Sequence, residues 1–342
     1  MKRNFLMFGF LLSSYTFVHA QTCPQVLRLA RSTYEQGRLH ELETLLKGCL
    51  EGVNFTVQER VEAYKLLTLA YIYLEEPEKA DAAMLKLLQT DHYFVLNKAV
   101  EPAEFQALYA TFRTTPIFRI GGKFGALSTQ PNVARSNTAN DGASEYGYKI
   151  GVTAGAFAEI PVLNNKFVLN PELNFQLRNF SFTNNNGIAS TTASEAMSTL
   201  ALPVSLQYSF FQKREKVLIR PYLALGVQLD YLLSSSQTIT TLKIAELPVP
   251  EKTYDVKNQR NPLNVSAIAS IGGKLDAGPG YLILEARYYY GLSKLLTAKD
   301  VYSNPFPVFD NYAVNGIFSL NSVSITLGYG YNIFKPKKKL TK

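Results

Sequence analysis

A period-two alternation of apolar and polar side chains runs through the last two-thirds of the chain, from about residue 115 to residue 334. Its clearest instance is residues 281–292, where leucine, alanine and tyrosine alternate with positions that include Glu285 and Arg287. Successive side chains on a strand point to opposite sides, so each such stretch has one apolar face and one polar face. A soluble sandwich would bury the apolar face, whereas a membrane barrel would turn it toward lipid and the polar face toward the lumen.

Eight such stretches can be read, and the segments between them alternate in length. Three are turns of four or five residues, and four are longer and rich in Asn, Ser and Thr, at about 128–145, 183–196, 234–262 and 293–319. Short turns at one end and long loops at the other are typical of an outer-membrane barrel whose two termini are periplasmic. The pattern predicts an all-β membrane barrel of eight antiparallel up-and-down strands, at about 116–127, 146–160, 167–182, 197–211, 217–233, 263–275, 281–292 and 320–334.

The start of the chain predicts a secretion signal over residues 1–20. Lys2 and Arg3 supply the charge, residues 5–12 the apolar centre, and Val18-His19-Ala20 the small-residue cleavage pattern. We expect the mature chain to begin at Gln21. No later run of about 18 apolar residues predicts a membrane helix.

The mature chain changes composition near residue 115. Residues 21–113 have helical spacing and predict a small all-α periplasmic domain, with helices at about 24–37, 39–50, 57–74, 78–90 and 104–112. Residues 114–334 form the predicted barrel, and residues 335–342 a basic periplasmic tail. The formal net charge is +8. Outside the tail and the leader this charge is dispersed, so we expect no nucleic-acid partner.

The second helical pair resembles a tetratricopeptide repeat over LLTLAYIYLEEPEKADAAMLKLL, residues 66–88. Such repeats are protein-binding surfaces, so the resemblance implies a partner-binding module; a helical plug or spacer beneath the barrel is the alternative. The first helical pair, residues 23–50, looks like a weaker copy of the same repeat. Two repeats are fewer than the three or so that usually bury a continuous core. The residues at the packing positions of the repeat, which we assign tentatively to partner binding, are Tyr64, Leu67, Tyr71, Ala80, Met84 and Leu87.

The two cysteines, Cys23 and Cys49, bracket the first helical pair. In an oxidising compartment they are compatible with a disulfide, and two small buried thiols are the alternative. A lipid anchor on Cys23 is disfavoured because Gln21 and Thr22 are not the small residues that such a site requires. No histidine lies near the pair in a ligand pattern, so we expect no metal there.

An eight-stranded barrel is just wide enough for its own inward side chains. We therefore expect the inward charged groups to form a network of ion pairs and hydrogen bonds that fills the lumen, rather than acid–base catalysts. The members of this predicted lumen network are Arg119, Lys123, Lys149, Glu159, Glu172, Arg178, Arg220, Asp230, Lys274, Glu285 and Arg287.

Catalytic motifs are not recognisable. The three histidines are His19 in the leader and His40 and His92 in the helical domain, so no Ser–His pair can form at the barrel. Phosphate-binding and dinucleotide-binding glycine motifs and EF-hand loops are missing too. We expect no enzymatic activity, no catalytic residue, no cofactor, no metal and no small-molecule substrate.

Taken together, the chain resembles the PorT-like outer-membrane barrels of Bacteroidota, some of which carry a helical extension. The segments that carry the resemblance are FRIGGKFGALST at 118–129, residues 148–182 and ITLGYGYNIF at 325–334. Residues 326–333 also resemble a barrel-assembly signal, although a basic tail follows it. The PorT-like family is linked to type IX secretion and gliding. The resemblance of this chain to that family therefore implies that the protein belongs to an envelope assembly.

These observations lead to two functional hypotheses. The first is a non-enzymatic barrel in outer-membrane lipid that anchors a periplasmic docking module for a periplasmic or outer-membrane protein, as an accessory of a secretion or assembly complex. The alternative is a surface adhesin or ligand binder that acts through the long extracellular loops, above all 234–262.

Overall fold

The computed structural model describes residues 22–52, 55–135, 144–162, 166–185, 189–210, 218–244, 247–296 and 316–339. The chain divides into two compact units, one of Met1–Thr115 with Lys335–Lys342 and one of Pro116–Phe334. The basic tail therefore groups with the helical unit. The predicted secretion signal and tail residues 340–342 lie outside the described residues.

Five α-helices form the helical unit, as predicted. They are α1 (Cys23–Glu35), α2 (Leu42–Glu51), α3 (Val57–Tyr73), α4 (Pro77–Thr90) and α5 (Ala103–Thr111), with a 3₁₀ turn at Leu39–Glu41. A capping box at the start of α3 pairs Thr56 with Glu59, each side chain accepting a hydrogen bond from the other residue's backbone N–H. At the start of α1, the side chain of Gln25 accepts a hydrogen bond from the backbone N–H of Thr22. Gly37 has a φ of 75°, which allows the chain to turn after α1. Within the described residues, no helix is both long enough and apolar enough to cross a membrane.

Helix α3 is the central helix of this unit. Its residues from Leu66 to Tyr71 are all buried, so it has no solvent-exposed stripe over that stretch. One apolar cluster joins α1, α2 and α3, and includes Leu42 and Leu46. A second joins α3, α4 and α5 through Met84, Leu87 and Phe105. The two pairs of helices thus share a core through α3.

Eight long antiparallel strands of the second unit close into a ring. Each strand pairs with the next, and the last pairs with the first from Phe118↔Ile333 to Arg135↔Ile317. A short 3₁₀ turn covers Lys257–Gln259. The ring order is β1 (Phe118–Arg135), β2 (Ser144–Val162), β3 (Phe167–Asn185), β4 (Ala189–Ser209), β5 (Ile219–Ile244), β8 (Leu263–Ala277), β9 (Gly280–Gly291) and β10 (Ile317–Ile333), and two short strands, β6 (Leu247–Val249) and β7 (Lys252–Asp255), pair with β5.

Exposure alternates along these strands with a period of two. In β9 every second residue from Leu282 to Tyr290 is exposed, while Ile283, Glu285 and Arg287 between them are buried. In β3 the exposed Leu173, Phe175 and Leu177 alternate with buried polar residues in the same way. The fold class is confirmed: the chain carries an eight-stranded antiparallel membrane barrel with its apolar face outward.

The strands are longer than the sequence predicted, and parts of all four predicted long loops are strand. Residues 183–196 belong mostly to β3 and β4, and β5 continues to Ile244 through what we had assigned to the loop at 234–262. A strand needs about 9–11 residues to cross a membrane at a tilt. With 26 residues, β5 extends well beyond that length.

The apolar outer band ends at a defined level toward the long connections. Beyond Leu177, Leu200 and Leu233 the outward positions become polar. The register between β4 and β5 shifts at the same level, between Ser198 and Thr199. One extra residue on β5 at this point reverses which of the β5 side chains face inward. The outward residues past this level are Asn179, Ser181, Thr183, Ser194, Ser198, Ser236 and Thr238.

At the end of the barrel with the short turns, β8 and β9 meet at Ala277↔Gly280. Two glycines near this end allow aromatic rings to lie across the inner wall. A Cβ atom on Gly272 would lie 2.4 Å from the ring of Tyr222. A Cβ on Gly330 would lie 2.4 Å from the ring of Tyr281. Both rings are buried. Side chains at these two positions would push the rings out of the packed interior.

The exposed apolar band predicts a depth-dependent cost for charge on the outer wall. Leu225 is 69% exposed in the middle of the band, so Leu225→Arg should lower the free energy of unfolding in lipid vesicles by about 2–4 kcal/mol. Ala196→Arg, also on the outer face but beyond the band, should lower it by less than about 1 kcal/mol. Urea titration of both variants measures this, and equal losses would contradict an outer wall immersed in lipid.

Candidate functional sites in the barrel and the helical unit

The lumen near the short β8–β9 turn holds a cluster around Glu159, which is 1% exposed. Its carboxylate lies 2.5 Å from Lys274 Nζ and 3.3 Å from Arg119 Nη1. Lys274 also donates to the side chain of Gln207 at 2.9 Å and lies 4.8 Å from the ring centre of Tyr222. Every charge in this cluster therefore has an opposite charge or a hydrogen-bond partner.

The centre of the lumen is organised around the carboxylate of Glu172. It accepts hydrogen bonds from Lys123 at 2.6 Å and from Arg287 at 2.6 and 3.1 Å. Asn170 and Asn174, two residues to either side on β3, donate to it at 2.7 and 2.9 Å. One carboxylate thus binds two cations and two amides, which offsets the cost of its burial.

Glu285 completes this central layer from β9. Its carboxylate lies 2.8 Å from Arg287 and 3.3 Å from Lys123, and accepts a hydrogen bond from the hydroxyl of Tyr222 at 2.7 Å. Glu172 and Glu285 thus share the same two cations. Two carboxylates neutralised by two fixed cations lack the free proton acceptor that acid–base catalysis needs.

A third layer lies toward the long connections, where Arg178 faces Asp230 at 3.2 Å. Arg178 also donates to Gln176 at 2.7 Å, and Gln228 donates to Asp230 at 2.8 Å. The layers follow one another along the strands and leave the interior occupied by side chains, as the narrow diameter requires.

Two members of the predicted network lie elsewhere. Lys149 is exposed beside a β-bulge, where the β2–β3 register shifts between Lys149 and Val152. Its assignment to the buried lumen network is therefore wrong, since a bulge breaks the alternation on which the assignment rested. Arg220 forms its ion pair with Asp276, whose side chain is 55% exposed, and so belongs to the rim rather than to the buried layers.

The sequence pattern does not predict a buried ion pair that the structure shows between Glu195 and Arg260. Both side chains are 0% exposed, and the guanidinium donates to the carboxylate at 2.6 and 2.7 Å. Ser235 adds a third hydrogen bond to Glu195 at 2.7 Å. These residues lie beyond the apolar band, in the segments 183–196 and 234–262 that the sequence predicts as loops. The alternation of β4 could have placed Glu195 inward, but no periodic pattern marks Arg260.

Apolar side chains surround this ion pair. Phe180, Met197, Leu232 and Phe318 from four strands pack with Leu295 and Leu296, which follow β9. The Arg260 guanidinium lies 5.8 Å from the ring centre of Phe318. The barrel therefore continues beyond the apolar band as an ordered, water-excluding structure.

The residues assigned to partner binding lie in the core of the helical unit. Leu67, Ala80, Met84 and Leu87 are at most 6% exposed, Tyr71 is 8% exposed, and Tyr64 is half-buried. Their assignment as a contact surface is wrong for these side chains, because the packing positions of a helical pair are used in joining its two helices. The outer face of α4 is exposed instead, at Glu78, Ala82, Lys86 and Gln89.

Tyr71 also takes part in a polar cluster that joins three helices. Lys79 of α4 lies 3.2 Å from Glu43 of α2 and 5.4 Å from the ring centre of Tyr71 in α3. Burial, with a hydrogen bond to Glu43, raises the pKa of Tyr71 to about 12. The hydrogen bond from Lys79 lowers the pKa of Glu43. Both pKa shifts reinforce the states that these groups already have at neutral pH, a protonated Tyr71 and a charged Glu43, so the role of the cluster is structural.

Cys23 and Cys49 are joined by a disulfide with Cα atoms 5.7 Å apart. It links the start of α1 to the end of α2 across 26 positions of sequence. In the part of the chain that the structure describes, no group of three or more His, Cys, Asp or Glu side chains could hold a metal ion.

Comparison with known proteins places the barrel in a family. A family model described as outer membrane protein beta-barrel domain matches residues 114–297, more than half of the chain. No curated protein matches the sequence.

Three similar solved structures are remote from this chain in sequence. Neisserial surface protein A is 12% identical, with 63% of this chain and 97% of that one covered and a TM-score of 0.32. OprG from Pseudomonas aeruginosa is 12% identical, with 64% and 97% covered and a TM-score of 0.35. Ail from Yersinia pestis is 9% identical, with 63% and 99% covered and a TM-score of 0.28. Similarities this low carry no argument about function.

The central layer predicts an unequal cost for removing two carboxylates. Glu172→Gln leaves two buried cations short of charge, so it should lower the free energy of unfolding by about 3–5 kcal/mol. Asp276→Asn, at the exposed rim, should lower it by about 1 kcal/mol or less. Urea titration of both variants in one detergent measures the two losses of unfolding free energy. An unchanged free energy of unfolding in Glu172→Gln would contradict a closed, dry lumen.

Proposed function

This chain belongs to the outer membrane protein beta-barrel domain family, and on that premise we propose that it is a non-enzymatic outer-membrane anchor for a periplasmic docking module. The proposal places the barrel in outer-membrane lipid and the helical unit in the periplasm. The docked partner is a periplasmic or outer-membrane protein of a secretion or assembly complex.

The occupied lumen is the observation that supports this proposal best. Each described interior layer is filled by paired side chains such as Lys123 with Glu172 and Arg178 with Asp230. A barrel filled in this way provides neither a solute path nor a free catalytic group. The function is then carried by whatever the barrel holds at its ends.

The helical unit is suited to docking because it is rigid and has its own core. The disulfide and the two apolar clusters fix its helices, and a preorganised surface loses little conformational entropy on binding. The outer face of α4 carries Glu78, Ala82, Lys86 and Gln89 on successive turns. The resemblance to tetratricopeptide repeats and PorT-like barrels agrees with this role, with α4 as the contact face.

A second candidate function draws on the barrel extension beyond the apolar band. The Glu195–Arg260 pair and the apolar residues around it hold this extension in one conformation. A rigid platform of this kind on the cell surface would suit an adhesin or a ligand binder. Its exposed residues include Lys252, Lys257 and Asn258 on the connection between β5 and β8.

Site-specific crosslinking distinguishes the two candidates. A photoreactive amino acid at Ala82 or Lys86 of α4 should trap one envelope protein in living cells, because those side chains face outward on a rigid helix. The same photoreactive amino acid at Lys257 or Asn258 is the matched control and should trap no envelope protein. Mass spectrometry of the adducts reads the result. Adducts only at the control positions would overturn the docking proposal.

A surface variant tests the second candidate directly. Lys252→Ala/Lys257→Ala/Asn258→Ala removes exposed side chains but keeps Tyr254, Val256 and Arg260, which hold the segment in place. Under the docking proposal, cells with this variant should attach to glycan-coated and matrix-coated surfaces as wild-type cells do. A drop to the level of cells lacking the protein would favour the adhesin.

A further inference from the structure

The structure describes the basic tail as far as residue 339, and backbone hydrogen bonds hold it against the segment that follows α5. The backbone N–H of Arg113 donates to the carbonyl of Lys337 at 2.9 Å, and that of Lys339 donates to Thr111 at 2.7 Å. The Arg113 guanidinium also donates to the carbonyl of Lys335 at 2.8 Å. The tail forms a short antiparallel bridge with the segment after α5.

The four lysines of this ordered tail fall into two pairs with different contacts. Lys338 forms an ion pair with Asp81 of α4, and Lys339 Nζ donates to the carbonyl of Ala110 at 2.9 Å. Lys335 and Lys337 are exposed, and within the described residues their ammonium groups have no hydrogen bond or ion pair. These two lysines are two residues apart in the sequence, with Pro336 between them.

Lys335 and Lys337 follow closely in sequence after β10, the last strand of the barrel. Tyr329, Tyr331 and Phe118 are exposed at that end of β10 and β1, and tyrosines are enriched at membrane–water interfaces. Lys335 is the second residue after Ile333, where β10 ends. At about 3.3 Å per residue, it is at most about 13 Å of chain from Tyr331. A lysine at that distance can reach the headgroups with its ammonium group.

We propose that Lys335 and Lys337 form a binding site for the phosphate of anionic phospholipids in the leaflet next to the short turns. Polybasic segments beside a membrane are attracted to anionic headgroups. Here the backbone is already fixed, and no acidic residue occurs in the stretch KPKKK from 335 to 339. The site rests on the proposed membrane anchoring of the barrel and not on a docked partner.

Lysine footprinting in nanodiscs tests the site on the full-length mature protein. One set of nanodiscs holds phosphatidylcholine alone, and the other holds phosphatidylcholine mixed with phosphatidylglycerol. An anionic surface stabilises the ammonium form, so Lys335 and Lys337 should be acetylated about fivefold more slowly in the second set, which corresponds to about 1 kcal/mol per lysine. High salt should abolish the difference.

Lys252 and Lys257, at the long-connection end, provide the internal control, because β7 pairs with β5 several residues beyond Leu233. Their acetylation rates should be the same in both sets. Equal rates at Lys335 and Lys337, or the same slowing at all four lysines, would overturn the site. The nanodiscs contain no protein partner. A negative result for the lipid site therefore says nothing against the docking proposal, and the two can fail separately.

A pair of variants gives a second, independent readout. Lys335→Gln/Lys337→Gln should lose the enrichment of phosphatidylglycerol among lipids that copurify from mixed nanodiscs, whereas Lys252→Gln/Lys257→Gln should keep it. Both variants remove two positive charges, so net charge is matched. Retained enrichment in the first variant would contradict the site.

Discussion

The closure of β1 against β10 is the constraint on which the rest of the barrel depends. Hydrocarbon offers no hydrogen bonds, so a sheet can cross a membrane only if every strand has two neighbours. Here the last ladder runs from Phe118↔Ile333 to Arg135↔Ile317 and completes the ring. Once the ring is closed, its two faces have fixed roles. Leucines and tyrosines meet lipid, and charged and polar side chains share the interior.

That interior is a packed polar core rather than a channel. Glu172 illustrates the principle, because its single carboxylate serves Lys123, Arg287 and two asparagine amides. Buried charges are tolerated only when each is paired and hydrogen-bonded. Such a core leaves little room for chemistry within the membrane. Among the described residues, the exposed groups outside this packed interior lie on the extension beyond the apolar band, on the helical unit and on the tail.

Much of the barrel was predictable because one local rule governs it. The faces of residues 281–292 follow from counting by two, and the structure agrees at every described position. The rule fails where the local geometry changes. A bulge displaces Lys149, and the strands run through Asn-, Ser- and Thr-rich sequence that resembles loops. The pairing of Glu195 with Arg260 depends on a contact across 65 positions of sequence, which no local pattern encodes. In the helical unit, the repeat pattern identified packing residues such as Met84, and these are buried because packing is what the pattern encodes.

Spin-label accessibility along β9 tests the outward placement of the apolar face most directly. Single labels at successive positions from Leu282 to Tyr289, in lipid vesicles, report collisions with oxygen dissolved in the bilayer and with a water-soluble nickel complex. We expect high oxygen accessibility at Leu282, Leu284 and Tyr288, and low accessibility to both reagents at the buried positions between them. Low oxygen accessibility on both faces, or nickel accessibility on the leucine face, would contradict a barrel whose apolar face lies in lipid.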